Sequence, residues 1–382
     1  MPRIVNYTPN ALTQVGGSDL GAPFIMPNGK VGLVQGDTWD GTVAKTGSGP
    51  WWRSPVILTS PTRNPGANAL AIDGAVRGGD QLWAYPHNNG TFTTVLPCDA
   101  ISIGGRIYIW VMVTNGLADP NIPGSGELWC EIWYSDDNGE NWINSADDAG
   151  TPWAGYKWST SEYGGKRTMI TWERGRDGFV YIVSTGGLLR NKNAHMWRVP
   201  EADIRNPNAW QAWGFAGGAW NWGNPPTDIL PSGTMCGEMC LRWIQGHWVL
   251  SYLELNQGAT TVKVGYSGVP ATATSAPNNI NWMTTATYRP IRSGPLAIIL
   301  GGEAMERFYG CYVHPDSKFD GKFSLIMSEW LLQAGAPYNG EGPYRSSHWR
   351  MKTTPTALGP LIQDPAPADA DEWDIVMREF TG

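Results

Sequence analysis

Two aspartates near the start of the chain have the residue type and the spacing that acid–base chemistry needs. Asp19 and Asp37 lie nine residues before and nine residues after Asn28, in the segment SDLGAPFIMPNGKVGLVQGD. Apolar runs joined by a short connection that contains Gly are typical of a β-hairpin, in which mirror positions face each other with Cβ atoms about 4.5–5.5 Å apart. The two carboxyl groups are therefore predicted to lie side by side at the open end of this hairpin.

This predicted pair has one chemical and one structural interpretation. Like charges that face each other across a hairpin destabilise it, unless a function needs them there. Glycosidic bond hydrolysis uses two carboxyl groups, one as proton donor and the other as base or nucleophile, and mutual repulsion raises the pKa of one of them. The structural alternative is that Asp19 and Asp37 bond turn amides and cap the strand ends. The chemical interpretation makes these two residues the catalytic candidates.

Other acidic residues lie at equivalent positions along the chain. Glu238 and Glu254 lie eight residues on either side of Gly246, which predicts a second acidic pair, for which a structural role is the favoured interpretation. Asp99 lies at the corresponding end of another hairpin. Asp99 and Glu238 are therefore candidates for substrate binding.

Arg53, Trp39 and Trp52 follow the first acidic pair in the sequence. Arg53 is either a sugar ligand or a charge partner of the acids. Trp39 and Trp52 offer flat apolar faces to a sugar ring, although packing between sheets must account for most of the 22 tryptophans.

The elements that must position these residues repeat along the chain. Five segments share an apolar run, a Gly turn and a second apolar run, and their turn glycines are Gly29, Gly105, Gly178, Gly246 and Gly321. Evenly spaced hairpins are the signature of a β-propeller, in which each hairpin belongs to a separate blade. The sequence predicts an all-β fold, a five-bladed β-propeller forming a single domain over residues 1–352. Residues 353–382 are predicted to be an acidic, Pro-rich segment that packs on the propeller or trails from it.

A local motif agrees with this fold. The segment SDDNGENW, residues 135–142, fits the Asp-box turn of sialidase-like propellers. In such a turn the Asp side chain caps backbone amides and Gly takes a left-handed conformation. Asp137 is therefore predicted to have a structural role on the periphery, away from the central funnel.

Composition excludes several other classes of protein. The chain carries a net charge of −7 and only 16% charged residues, which argues against nucleic acid or an anionic membrane as its main partner. The N-terminal residues lack the apolar core of a signal peptide, and no apolar run is long enough to span a membrane. The five cysteines are expected to be buried free thiols. The histidines are isolated from one another, so no metal site and no cofactor are expected.

Several motifs together resemble one enzyme family. They are GGSDLGAPF, GDTW, WWRSPV, TTVLPCDAI, WCEIWYSDDNGENW, FYGCYVHP, LIMSEW and YRSSHWRM. In this order and at these spacings they resemble the five-bladed endo-D-arabinanases, earlier catalogued as a domain of unknown function in actinobacteria and their phages.

The resemblance implies a function and a place for the protein. It implies hydrolysis of internal α-D-arabinofuranosyl linkages in mycobacterial arabinogalactan and lipoarabinomannan, with Asp19 and Asp37 as the paired acids. The polysaccharide D-arabinan is then the partner, and an extracellular or virion-associated location, with other phage virion proteins as neighbours, is expected. Two alternatives stay open: a non-catalytic phage tail protein that binds arabinan, and another propeller furanosidase.

Overall fold

The computed structural model of the 382-residue chain is rich in antiparallel sheet. It describes residues 15–40, 50–63, 70–117, 119, 121–254, 261–267, 282–288, 298–300, 303–305, 308–318, 323–330 and 344–351. The C-terminal segment 353–382, predicted to be acidic and Pro-rich, lies outside the described residues.

The strands of the described ranges form six sheets. The first contains β1 (Gly17–Ile25), β2 (Val31–Trp39), β3 (Val56–Ser60) and β4 (Gly74–Ala75). The second contains β5 (Thr94–Ile103), β6 (Arg106–Asn115), β7 (Gly126–Ser135) and β8 (Ile143–Asn144), with β9 (Trp158–Ser159) paired to β7. The third contains β10 (Met169–Arg174), β11 (Phe179–Thr185), β12 (His195–Pro200), β13 (Gln211–Ala216) and β14 (Ala219–Trp222).

The remaining strands follow the same order along the chain. The fourth sheet contains β15 (Cys236–Ile244), β16 (His247–Glu254), β17 (Thr261–Ser267) and β18 (Trp282–Tyr288). A two-stranded sheet contains β19 (Ile298–Leu300) and β20 (Glu303–Met305). The last contains β21 (Phe308–Val313), β22 (Phe323–Trp330) and β23 (Tyr344–Met351).

Helical structure in the same ranges consists of short 3-10 turns. They are Val76–Gly79, Ser145–Asp147, Glu162–Gly164, Gly187–Leu189, Glu201–Asp203 and Pro207–Ala209. None of the helices in the described ranges has the length and apolar character that a membrane crossing requires. The prediction of an all-β fold is confirmed.

Each predicted hairpin begins a different sheet. The first two strands of each of these five sheets pair antiparallel, β1 with β2 and so on to β21 with β22. The connection around Gly321 lies outside the described residues, although the strands that flank it pair as expected. The first strands contact one another in a closed cycle, β1 to β5, β10, β15, β21 and back to β1. Sheets that meet in this way surround a common centre.

Apolar side chains fill the space between successive sheets. Along β6, Ile107, Ile109 and Val111 pack with side chains of the first sheet, whereas Trp110 and Met112 pack with those of the third. Side chains alternate between the two faces of a strand, so a strand covered on both faces needs a continuous apolar run. This explains the segment IYIWVMV. All five cysteines are free and buried, as predicted.

The Asp-box turn has the predicted geometry. Asp137 Oδ1 accepts hydrogen bonds from the Asn141 amide (2.9 Å) and the Ser135 hydroxyl (2.8 Å), and Gly139 has a φ of +95°. Burial raises the pKa of Asp137, but these hydrogen bonds outweigh it, so the pKa lies below its ordinary value. The turn joins β7 to β8 at the end of the sheet opposite to the beginning of β5.

Asp137→Ala is expected to lower the free energy of unfolding by about 1 kcal/mol, because the turn amides lose their cap. Asp137→Asn keeps an acceptor oxygen and should cost less. Urea unfolding of both variants measures the difference. An unchanged free energy of unfolding in Asp137→Ala would contradict the structural role.

Candidate active site

A cavity of about 230 Å³ opens where the first strands of the five hairpin sheets begin. Its wall is largely apolar, formed mainly by leucines, methionines and Trp39. The polar side chains in this wall are Asp19, Asp37, Arg190, Glu238, Tyr309 and Tyr312. A concave apolar site with a few convergent polar groups is the usual form of a ligand pocket.

Four of the residues that line this cavity lie at irregularities in the strand pairing. The register shifts at Asp37 in the first hairpin, at Cys98 in the second, at Glu238 in the fourth and at Tyr309 in the last. All four residues line the cavity. A β-bulge bends the strand and redirects a side chain, and bulges are frequent beside active sites. One bulged residue from each of four hairpins therefore builds the site.

The first hairpin brings the two catalytic candidates together. Ser18 pairs with Thr38 and Ile25 with Val31, so the register has its mirror point at Asn28, as predicted. Between Ser18 and Leu20 the opposite strand has an extra residue, so Asp19 faces both Gly36 and Asp37. Between Leu20 and Ala22 the extra residue Gly21 of β1 restores the register. The lack of a side chain at Gly36 leaves room for the Asp19 carboxyl group, because a Cβ there would overlap Asp19 Oδ1 and the carboxyl group would have to move.

Asp37 lies in a partly buried position where its charge is disfavoured. Its Oδ1 accepts hydrogen bonds from the Trp52 indole N–H and from the Thr94 hydroxyl, both at 2.8 Å. Burial raises the pKa of Asp37 to about 6, although these two donors act in the opposite direction. Both donors bond the same oxygen, so Oδ1 is fixed by the protein.

Asp19 has different surroundings. It is buried, and Tyr309 is its electrostatic neighbour. Burial and then the charge of Asp19 raise the pKa of the Tyr309 hydroxyl well above its ordinary value. The Tyr309 hydroxyl is therefore neutral beside Asp19. The two aspartates share one cavity but have different neighbours.

Glu238 forms an ion pair inside the cavity. Arg190 binds both of its carboxylate oxygens, Nε to Oε2 at 3.0 Å and Nη2 to Oε1 at 2.5 Å. Burial lowers the pKa of Arg190, but the charge of Glu238 and these hydrogen bonds raise it above its ordinary value. The predicted acidic pair of Glu238 with Glu254 was wrong. Ile244 pairs with His247, so the hairpin is centred between Gln245 and Gly246 and not on Gly246, and the bulge shifts the register further, so that Glu254 pairs with Cys236.

Trp39 and Trp52 lie where the sequence analysis expected an apolar platform. They line a second cavity of about 470 Å³, and the two cavities form one cleft because they share the lining residues Asp37, Trp39, Leu96, Leu117 and Leu188. The ring planes of Trp39 and Trp52 are stacked at 14°, with centroids 5.8 Å apart. The His87 ring also stacks on Trp52, with centroids 4.2 Å apart. Asp37 lies at the junction of the two cavities.

Asp99 and Arg53 lie outside this cleft. Asp99 is fully buried, and its carboxylate binds Arg242 and Thr171. Arg53 is also buried, with its guanidinium 3.7 Å from the Trp51 ring centroid and bonded to the Gly79 carbonyl. Both residues were predicted to bind sugar, but their charged groups bond other groups of the protein interior and do not line the cleft.

Three site residues were missed by the sequence analysis. Thr94 lies within the motif TTVLPCDAI and Tyr309 within FYGCYVHP, so the motifs contained a signal for both. Arg190 lies in the connection between β11 and β12, outside the quoted motifs. Among the described residues no group of three or more His, Cys, Asp and Glu side chains is arranged to hold a metal ion.

The raised pKa of Asp37 predicts a dependence of stability on pH. Between its ordinary value of 3.8 and about 6 the folded state binds more protons than the unfolded state, so stability falls as the pH rises through this window. Asp37→Asn removes the titration, and its stability relative to the wild type should therefore increase from pH 4 to pH 7, by at most about 3 kcal/mol. Thermal unfolding at both pH values measures this increase. A difference that is the same at the two pH values would contradict the shift.

Two relatives match most of the chain. Notoamide biosynthesis cluster protein J' of Aspergillus versicolor is 26% identical over 346 residues, which cover 86% of this chain and 84% of that protein. An uncharacterized 35.9 kDa protein in the asd 3' region of Mycolicibacterium smegmatis is 27% identical over 347 residues, 87% of this chain and 92% of that protein.

Solved structures identify the fold. A putative hydrolase from Bacteroides ovatus has a TM-score of 0.57 at 13% identity and covers 89% of this chain and 86% of its own. The GH43 protein BlXynB from Bacillus licheniformis has a TM-score of 0.50 at 13% identity and covers 95% of this chain and 59% of its own. This chain therefore shares an all-β propeller fold with these proteins. The model of the domain of unknown function DUF4185 matches residues 7–344, and this chain therefore belongs to the DUF4185 family.

Proposed function

We propose that this protein is a five-bladed propeller glycoside hydrolase that cleaves internal α-D-arabinofuranosyl linkages of mycobacterial arabinogalactan and lipoarabinomannan. The closed cycle of β1, β5, β10, β15 and β21 supports the blade count. The shared fold with propeller glycoside hydrolases supports the reaction class. The endo-D-arabinanase motifs of the sequence support the substrate.

The observation that carries the proposal is the pair of unlike carboxyl groups in one pocket. Burial raises the pKa of Asp37 to about 6, so about half of it is protonated at pH 6 and about a tenth at pH 7. Asp19 is buried beside the Tyr309 hydroxyl, whose pKa its charge helps to raise, so a neutral phenol and not a second charge neighbours this carboxyl group. Two carboxyl groups whose environments differ in this way provide an acid and a base.

In this proposal Asp37 is the general acid. Trp52 and Thr94 occupy Oδ1 and hold the carboxyl plane, and Oδ2 carries the proton. Asp37 donates this proton to the glycosidic oxygen as the bond to the anomeric carbon breaks. Asp19 takes a proton from the attacking water, or attacks the anomeric carbon itself in a retaining enzyme. The anomer released first distinguishes the two routes.

The charges and surfaces of the cleft suit a neutral sugar. Its wall carries three carboxyl groups and one guanidinium, Arg190, which is paired with Glu238, so an anionic sugar is disfavoured. Trp39 and Trp52 contribute apolar ring atoms to the wall beside Asp37, although the His87 ring stacks on Trp52 with centroids 4.2 Å apart. Glu238 adds a polar group to the same wall and is paired with Arg190. D-arabinan is uncharged and fits this requirement.

The competing function is binding without cleavage, as in a phage tail protein that holds cell-wall arabinan. An extracellular or virion-associated location accompanies both functions. Incubation with purified arabinogalactan separates them. Release of a ladder of short arabinan oligosaccharides supports the enzyme, whereas retention of the polymer without release supports the binding protein.

Asp19→Asn and Asp37→Asn should each lower turnover of arabinogalactan by about 10²–10⁴-fold, because each removes one ionisable group and keeps the side-chain size. Reducing-end assays on folded protein measure the loss. The matched control is Asp80→Asn, which alters an exposed carboxyl group outside the cleft and should leave turnover unchanged. Near wild-type turnover in either catalytic variant would refute its assigned role.

Gly36→Ala should inactivate the enzyme through Asp19. The new Cβ would lie 2.2 Å from Asp19 Oδ1, so the carboxyl group must move, and a displacement of about 1 Å costs on the order of 10²-fold in rate. Gly74→Ala is the control, since the nearest atom to its Cβ is Thr59 Oγ1 at 3.5 Å. Both variants should fold, as melting temperatures will show. Equal turnover in the two variants would contradict the role of Asp19.

A further inference from the structure

Four aromatic rings lie on one face of the hairpin formed by β13 and β14. The strands pair Trp213 with Trp222 and Phe215 with Trp220, and residues two apart on a strand share a face. The ring centroids of Trp213 and Trp220 are 5.7 Å apart with planes at 21°, and those of Phe215 and Trp220 are 5.8 Å apart. We call these four side chains the aromatic hairpin face.

One half of this face is anchored and the other half is exposed. Trp222 packs against Tyr181 with centroids 6.0 Å apart, and the Arg198 guanidinium lies 4.6 Å from the Trp222 ring centroid. Phe215 and Trp220 are 51% and 40% exposed. Adjacent exposed rings on an ordered support are a feature of binding surfaces.

The exposed half lies towards the same end of the sheet as the pocket. Ile170 of β10 lines the pocket, and it is level with His195 of β12 because both pair with Ser184 of β11. Two residues further along β12, Trp197 pairs with Ala212 of β13. Because β12 and β13 are antiparallel, this pairing sets His195 level with Gly214. Phe215 therefore lies one residue further towards the end of the sheet at which the pocket opens. Three strand spacings of about 4.8 Å separate β13 from β10, so the face begins about 14 Å from the pocket wall.

The chemistry of the hairpin indicates an uncharged ligand. Residues 211–224, QAWGFAGGAWNWGN, contain no charged side chain. Flat aromatic rings bind the apolar face of a sugar ring. The Arg198 guanidinium lies at the anchored half of the face, beside Trp222, and the exposed half formed by Phe215 and Trp220 carries no charge, which matches a neutral polysaccharide.

We propose that the aromatic hairpin face binds sugar residues of the same polysaccharide chain whose scissile bond lies in the pocket. This inference rests on the proposed function for the identity of the ligand. Phe215 and Trp220 would hold the polymer several residues away from the cleavage point. The face would then contribute to the affinity for long substrates and nothing to the chemical step.

The test compares Phe215→Ala/Trp220→Ala with Ile143→Ala, which removes another exposed apolar side chain, 45% exposed and distant from the hairpin in sequence. Each substitution is made in the wild type and in the Asp19→Asn background, where the polymer stays intact. Binding to arabinogalactan and the KM for arabinogalactan and for an arabinan trisaccharide are measured. The double variant should bind the polymer about tenfold more weakly, with an unchanged trisaccharide kcat and KM, and Ile143→Ala should match its parent.

Unchanged polymer binding in the double variant would overturn the proposal, and so would an equal loss on polymer and trisaccharide. A wild-type dimer that becomes monomeric in the double variant would also overturn it, because the occupant would be a second copy of the chain. Binding that depends on Phe215 and Trp220 without any hydrolysis would support the face while refuting the proposed enzyme. Hydrolysis of arabinogalactan that does not depend on Phe215 and Trp220 would support the proposed enzyme and refute the binding role of the aromatic hairpin face.

Discussion

The fold depends on a guanidinium group that is buried at the centre of the strand cycle. Arg242 binds both carboxylate oxygens of Asp99 at 2.9 Å, the Pro23 carbonyl at 2.7 Å and the Trp172 carbonyl at 3.4 Å. Thr171 adds a hydrogen bond to Asp99 at 2.7 Å. These contacts join β1, β5, β10 and β15. In other proteins, leaving one member of such a pair without its partner costs about 3–5 kcal/mol, so the first strands are held in one arrangement around the pocket.

The regular part of the fold followed from the sequence, but the bulges did not. Apolar runs with Gly turns predicted the hairpins, and the mirror point at Asn28 placed Asp19 and Asp37 together. Counting residues assumes an unbroken ladder, and one extra residue reverses the face on which each later side chain lies. The extra residue at Cys98 lines the pocket while Asp99 is buried with Arg242. No local pattern of residues records such an insertion.

Contacts between distant segments were also beyond the reach of spacing arguments. Thr94 bonds a carboxyl group 57 residues away, and Arg190 binds one 48 residues away. Residue type alone left Arg53 either a sugar ligand or a charge partner of the acids. In the structure it bonds backbone carbonyls and stacks on Trp51. Which polar side chain meets which acid is decided by how the sheets assemble, and that information is not local to any motif.

The bulges have a consequence for how a family with this fold diversifies. At each of them a single residue interrupts the ladder, and regular pairing resumes on either side. Gain or loss of one residue at such a point exchanges the side chain offered to the pocket while the apolar clusters between the sheets stay intact. Insertions and deletions of one residue are therefore a route to new chemistry that ordinary substitution does not provide. Relatives from a fungus and a bacterium at 26% and 27% identity show how far sequences in this fold have diverged.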